Sequence, residues 1–354
     1  MRRPEGRSGR RTAGEPGRGR LSAAFGTAAL AALCVCLASP PATAQLPATP
    51  ALLADLGFTP DEIARIEAGE IVHQTVPPAS ERELTTALAF QVPVAPAELV
   101  KTSKRDLLDQ VDPNMIGFAA VSTPGSPADF ARLTLHPDPA KRAQAYVGAA
   151  PGGELNLSAE EIAAFQALGS GAAPPAVEEQ VRSALLARVH AYRAQGLAGI
   201  APYARADGKT RSPAEELRTA TQATRKLERY VPAAYQVLLS YPNGKPPGTE
   251  EVLRWSQFDA HGVPTIALTH VMIIPDGEAQ ILAQRQFYVS TGYNAEQAIV
   301  ALLPSQGGTV VVYGNRTSTD QITGFGGGAK RSIGSEMLAS HLESMFERAR
   351  TRVK

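Results

Sequence analysis

Apolar residues along the chain alternate between two spacings, and the points where the spacing changes divide the sequence into segments. Thr59-Pro-Asp-Glu62 offers an N-cap, a Pro at the first helical position and the Glu of a capping box, and Ile63 with Ile66 supplies an apolar face. A short helix is therefore predicted over 60–68, ended by Gly69. Strand-like runs follow at 70–76 and 83–94, and a helix starts within 95–100 with Pro96 in its first turn. Two further short strands are predicted at 115–121 and 130–135, where Pro, Gly and Ser clusters bound the apolar runs.

The middle of the chain changes to helical spacing. Ser158 and Glu161 form a second capping box opening a helix through Leu168, and Gly169 to Pro175 reads as a linker. Val181, Leu185, Val189 and Tyr192 recur at helical spacing within 177–195. Ser212 and Glu215 form a third box, opening a helix predicted to reach Arg229. From Leu253 the pattern returns to β, with runs at 253–259, 265–274, 279–290, 295–303 and 309–317. Pro275-Asp-Gly-Glu278 is a hairpin turn, because Asp-Gly supplies the positive φ that tight turns need. These successive antiparallel neighbours imply a meander. A final helix is predicted over 329–352, with Ile333, Met337, Leu338, Leu342, Met345, Phe346 and Ala349 along one stripe.

This order of elements resembles the START-like superfamily, the group of lipid-transfer domains, polyketide cyclase/dehydrase relatives and plant allergens. The likeness is carried by 66–72 leading into the first strand, by the strand-to-helix step at 92–100, and by 307–313 before the closing helix. The resemblance implies an α+β helix-grip: a curved antiparallel sheet wrapped on a long C-terminal helix, with an apolar cavity between them. Residues 45–138 and 246–354 would form the grip, and 139–245 a mostly helical insertion that the family's compact form lacks.

Composition adds the context. The chain has 354 residues, of which 44% are apolar and 19% charged, as expected of a globular protein. Seven Arg and two Glu precede Leu21, an uncharged apolar run continues to Leu37, and Ala42-Thr-Ala44 gives a small-residue cleavage pattern before Gln45. Residues 1–44 therefore read as a secretory signal peptide, and an exported, periplasmic protein with no stable membrane span is expected. Both cysteines, Cys34 and Cys36, lie in that segment, so the mature chain would have no disulfide and no thiolate ligand. Loss of the leader turns the formal charge from +1 to about −4, which offers no nucleic-acid footprint.

Candidate chemistry is sparse. One face of 265–274 reads Ile266, Leu268, His270, Met272, Ile274, and one face of 281–289 reads Ile281, Ala283, Arg285, Phe287, Val289. Each apolar face carries one polar residue in its middle. A charged Arg there needs a partner. Arg285 and His270 would either hold the polar end of an amphipathic ligand, with Phe287, Trp255 and Tyr313 lining the same cavity, or be satisfied internally, Arg285 by an acid such as Asp259 or Glu296. No His pair has ligand spacing, and neither a metal nor another cofactor is expected. The Asn156 and Asn315 sequons are read as chance, and Asp320 after Thr317-Ser-Thr319 as a turn.

The run GFGGGAKRSIG at 324–334 lacks the second Gly of a phosphate-binding loop, and no strand follows it to complete a dinucleotide fold. It reads as a helix entrance. Gly326, Gly327, Gly328 and Lys330 could hold an anion there only weakly. The leading expectation is a binder of a small hydrophobic or amphipathic molecule; the alternatives are a cyclase/dehydrase-type enzyme using His270 or an acid near it as base, or an envelope protein that meets a partner through the helical middle.

Overall fold

The computed structural model describes residues 46–103, 110–260, 262–324 and 326–352. The predicted leader with its two cysteines lies outside the described residues, as does Phe325 of the glycine-rich run. Among the described residues no helix is long and apolar enough to cross a membrane.

The protein is α+β. Ten strands are described: β1 Val72–Gln74, β2 Glu83–Val92, β3 Met115–Val121, β4 Tyr203–Ala204, β5 Thr210–Arg211, β6 Glu250–Ala260, β7 Val263–Asp276, β8 Ala279–Val289, β9 Ala295–Ser305 and β10 Gly308–Ser318. Eight of them form one antiparallel sheet in the order β1-β2-β10-β9-β8-β7-β6-β3, so the predicted meander β6 to β10 is its centre and the early strands flank it. Gly277 takes φ 61° in the Asp-Gly turn between β7 and β8.

Helices cover both faces. At the N-terminus lie α1 Thr49–Leu56 and α2 Pro60–Glu67, the latter with the predicted capping box between Thr59 and Glu62. α3 spans Pro96–Ser103. The middle holds α4 Pro139–Val147, α5 Ala159–Gln166, α6 Pro174–Gln195, α7 Pro213–Ala223, α8 Arg225–Tyr230 and α9 Pro232–Ser240, and α10 Gly327–Arg350 closes the chain. The single helix expected from Ser212 to Arg229 is interrupted at Thr224, whose backbone leaves helical geometry (ψ 64°). The Ser158–Glu161 box is present, and Glu161 also pairs with the buried Arg188 of α6, whose guanidinium lies 4.2 Å from the Tyr288 ring of β8. One capping residue thus ties two helices to the sheet.

Residues 130–135 are not a strand. Phe130 ends a short 3-10 turn, and Phe130, Leu133 and Leu135 are buried as anchors in the core. The carbonyls that a ladder would satisfy accept instead from side chains, Leu133 O from Arg182 and Thr134 O from Gln257.

The face of the sheet bearing Ile266, Leu268, Met272, Ile281 and Phe287 packs on the helical middle, where Val177, Val181, Leu185, Val189 and Tyr192 of α6 are buried. Further along the same face, α1 and α2 bury Leu53 and Ile66 against Ala89 and Val310. The opposite face carries Phe90, Leu282, Leu302, Val311 and Tyr313 beneath α3 and α10. Every residue of β7 from Thr265 to Ile274 is consequently buried. The stripe on α10 is buried only toward its C-terminus, at Leu342, Phe346 and Ala349; Ile333 and Met337 are 58% and 53% exposed, against the expectation of a continuous buried stripe.

Gly196, at the end of α6, has φ 57°, and a Cβ there would lie 1.7 Å from Tyr241 O. Both the backbone conformation and the close approach demand glycine. Gly196→Ala is expected to lower unfolding stability by roughly 2–4 kcal/mol, read as the shift of the urea midpoint.

Candidate functional site

A cavity of about 920 Å3 lies between the second face of the sheet and α10. Strand register organises its wall. Going across the sheet, Gln286 on β8 pairs with Glu296 on β9, which pairs with Thr317 on β10. Two residues along the strands, about 7 Å away, the row is Gln284, Ala298, Asn315. The next row is Leu282, Val300, Tyr313, and beyond it Leu302 pairs with Val311. Polarity therefore falls from one end of the cavity to the other.

α10 repeats the gradient. Its first turns bring Lys330 to the rim, and Gly334 sits so close to β2 that a Cβ would lie 2.9 Å from Leu84 Cδ2. Leu338 and Leu342 roof the middle, and Phe346 packs on Phe90 and Tyr313, with ring centroids 5.2 and 5.1 Å apart. The exposed Ile333 and Met337 line the rim.

At the polar end, Thr317 Oγ1 lies 3.0 Å from Glu296 Oε2 and 2.8 Å from Asn315 Oδ1, and Asn315 Nδ2 donates to Tyr313 Oη at 3.2 Å. Tyr293 donates to Gln286 Oε1 beside them. Burial raises the pKa of Glu296 above the ordinary value of 4.5; hydrogen bonds from Thr317 and Asn315 oppose the shift and are outweighed. Among the described residues no salt bridge reaches this carboxyl.

Of the residues singled out in the sequence, Tyr313 alone among the five ligand candidates lines this cavity. His270, Arg285, Phe287 and Trp255 are buried on the other face, beneath the helical middle, which corrects their assignment to the cavity. His270 meets Tyr192 Oη through Nδ1 at 3.0 Å and Glu251 through Nε2 at 3.2 Å. Burial lowers the His270 pKa, so the ring is neutral near pH 7 and Nε2 donates; the bond from His270, followed by one from Lys245, holds Glu251 down to about 2. Phe287 stacks on Tyr192 with centroids 4.0 Å apart. Trp255 Nε1 donates to Asp129 O.

Among the described residues Arg285 finds no acid. Its Nη2 donates to Leu238 O at 2.8 Å and to Gln297 Oε1 at 2.9 Å. The register explains why neither expected partner serves: Arg285 pairs directly with Gln297, so Glu296, one residue away, points through the sheet to the cavity. Asp259 instead accepts from Gly262 N. Of Gly326, Gly327, Gly328 and Lys330, at the start of α10, only Lys330 lines the cavity, and Gly327 N and Lys330 N are already bonded to Gly324 O and Gly326 O. Asp320 occupies the predicted turn and pairs with Arg82, Arg205 and Arg211. Asn156 and Asn315 are buried.

Gln284 and Gln286 were not singled out in the sequence, and Glu296 and Asn315 were named there only as a possible partner of Arg285 and as a chance sequon. Their signal was the alternate residue of strands whose other face already looked like a core. No protein-family model, no curated protein and no solved structure matches the chain.

A carboxyl whose pKa is raised by folding is neutral in both states at low pH and is costly to the folded state once it ionises. Glu296→Gln is therefore expected to leave the thermal midpoint unaltered below about pH 4 and to raise it by a few degrees at pH 8, as the wild type alone loses stability through the folded pKa. Differential scanning fluorimetry across pH reads this directly.

Proposed function

We propose that this chain is an exported START-like protein of the helix-grip kind, binding a small hydrophobic or amphipathic, lipid-like molecule between its sheet and its C-terminal helix. The observation that carries this reading is the 920 Å3 cavity with a polar end and an apolar end. Its volume lies at the upper side of the range of small-molecule sites, and its apolar walls with a few convergent polar groups are the usual composition of such sites. The signal-like composition of residues 1–44 supports export to the periplasm.

The enzymic alternative drew on His270 as general base. With His270 bonded to Tyr192 and Glu251 on the far face, that support falls away. A protein-interaction role for the helical middle would need a broad exposed apolar surface there. The large exposed apolar side chains among the described residues are Ile116, Val263, Ile333 and Met337, none of them in the middle segment.

Two outcomes are expected. Mass spectrometry of organic extracts from the purified protein should reveal a stoichiometric apolar or amphipathic molecule; a clean extract together with failure to bind a neutral apolar dye would sink the proposal. Val300→Trp, which fills the cavity floor, should weaken dye binding at least about tenfold, a loss of about 1.4 kcal/mol. Arg285→Met should instead lower the unfolding midpoint, costing roughly 1–3 kcal/mol by leaving Leu238 O without its side-chain donor, Gln297 Oε1 keeping that of Thr221, while dye affinity stays within about twofold. The reverse pattern would place the ligand on the other face.

A further inference from the structure

The hydrogen-bond count at the polar end of the cavity restricts the kind of head group it accepts. Thr317 has one hydroxyl proton and two acceptors in reach, Glu296 Oε2 and Asn315 Oδ1. With the Asn315 amide nitrogen turned to Tyr313 and its oxygen to Thr317, one hydroxyl proton cannot serve both acceptors; both contacts are satisfied together when Thr317 donates to Asn315 Oδ1 and a protonated Glu296 donates to Thr317 Oγ1. The relay then runs from the Glu296 carboxyl to Thr317, to Asn315 and to the Tyr313 oxygen. A neutral Glu296 also removes the cost of an unpaired charge facing apolar walls.

Around this carboxyl the wall offers Gln284 and Gln286, amides able to donate, and the Tyr293 and Tyr313 hydroxyls. We infer that this end of the cavity receives an uncharged hydroxyl head, which donates to Glu296 and accepts from a neighbouring amide or phenol, so that the ligand is a long-chain or polycyclic alcohol. The inference rests on the reading of the cavity as a ligand site. The other charged or titratable groups on the wall stand on different elements: Lys330, His341 and Arg350 on α10, Arg254 and Asp259 on β6, and Asp112 before β3.

Linkage gives the test its sign. An apolar tail expels water from around Glu296 and raises its pKa further, so an uncharged ligand binds with proton uptake. An ammonium head would lower that pKa and release a proton. A straight-chain alcohol, carboxylate and ammonium of equal tail length are titrated into the purified protein while displacing a bound neutral dye, and calorimetry in two buffers of different ionisation enthalpy counts the protons. The alcohol is expected to bind at least about tenfold tighter than either ion, a difference of about 1.4 kcal/mol, with proton uptake near the pH at which Glu296 titrates. Glu296→Gln, checked for folding by circular dichroism, should abolish the uptake.

An ammonium that binds tightest with proton release overturns the inference, as does a carboxylate that binds tightest or an uptake unchanged in Glu296→Gln. The ligand series on the wild-type protein decides the head group even if the variant misfolds. Dye binding without discrimination among heads defeats this inference alone, whereas failure of the dye to bind defeats the cavity reading beneath it.

Discussion

A sheet has two faces, and this structure depends on how unequally they are covered. Six helices of the middle segment and two from the N-terminus share one face, whereas among the described residues only α3 and α10 meet the other. Strands about 4.8 Å apart place five of them across roughly 20 Å, and one helix with its side chains is only about 10–12 Å wide. A single closing helix therefore seals the strands directly beneath it and leaves the rest open. The cavity follows from that mismatch, and Gly334, which lets α10 approach Leu84, fixes where the seal is made.

The two faces also treat polar groups differently. On the covered face Arg285 and His270 are held by protein groups: a backbone carbonyl, a glutamine and a threonine on Nε and Nη2 of the guanidinium, whose Nη1 is buried without a partner among the described residues, and a tyrosine and a carboxylate for the imidazole. Such groups can specify how the helices sit on the sheet. On the cavity face Glu296 has hydroxyl and amide neighbours but, among the described residues, no cation paired with it, and its carboxyl borders open space. The first arrangement is structural in character, and the second has the features of a binding site.

The elements themselves were legible in the sequence, because spacing and caps are local. The Thr59 and Ser158 boxes, the Asp-Gly turn and all five meander strands appear where they were expected, within a few residues. The site was less legible. In β7 both faces read as apolar, and period two gives no indication of which face a distant segment will cover. His270 and Arg285 drew attention as polar residues among apolar neighbours, yet their partners come from a segment far away in the chain, at Tyr192, Thr221 and Leu238. Glu296 reads in the sequence only as a possible partner of Arg285, since its setting arises only when Gln286 and Thr317 come alongside it across three strands. Residues 130–135 failed as a strand for a related reason: their alternation records burial, and the carbonyl partners are the distant Arg182 and Gln257.

The central claim is that the ligand lies on the face of Glu296 and Val311, not on that of His270 and Arg285. An apolar probe carrying a photoreactive diazirine at its tail, irradiated in complex with the protein and mapped by peptide mass spectrometry, tests it most directly. The account predicts adducts on β9, β10 and the C-terminal half of α10, around Leu302, Val311 and Phe346. Adducts concentrated on α6, α7 and α9, around Tyr192, Thr221 and Leu238, would contradict it.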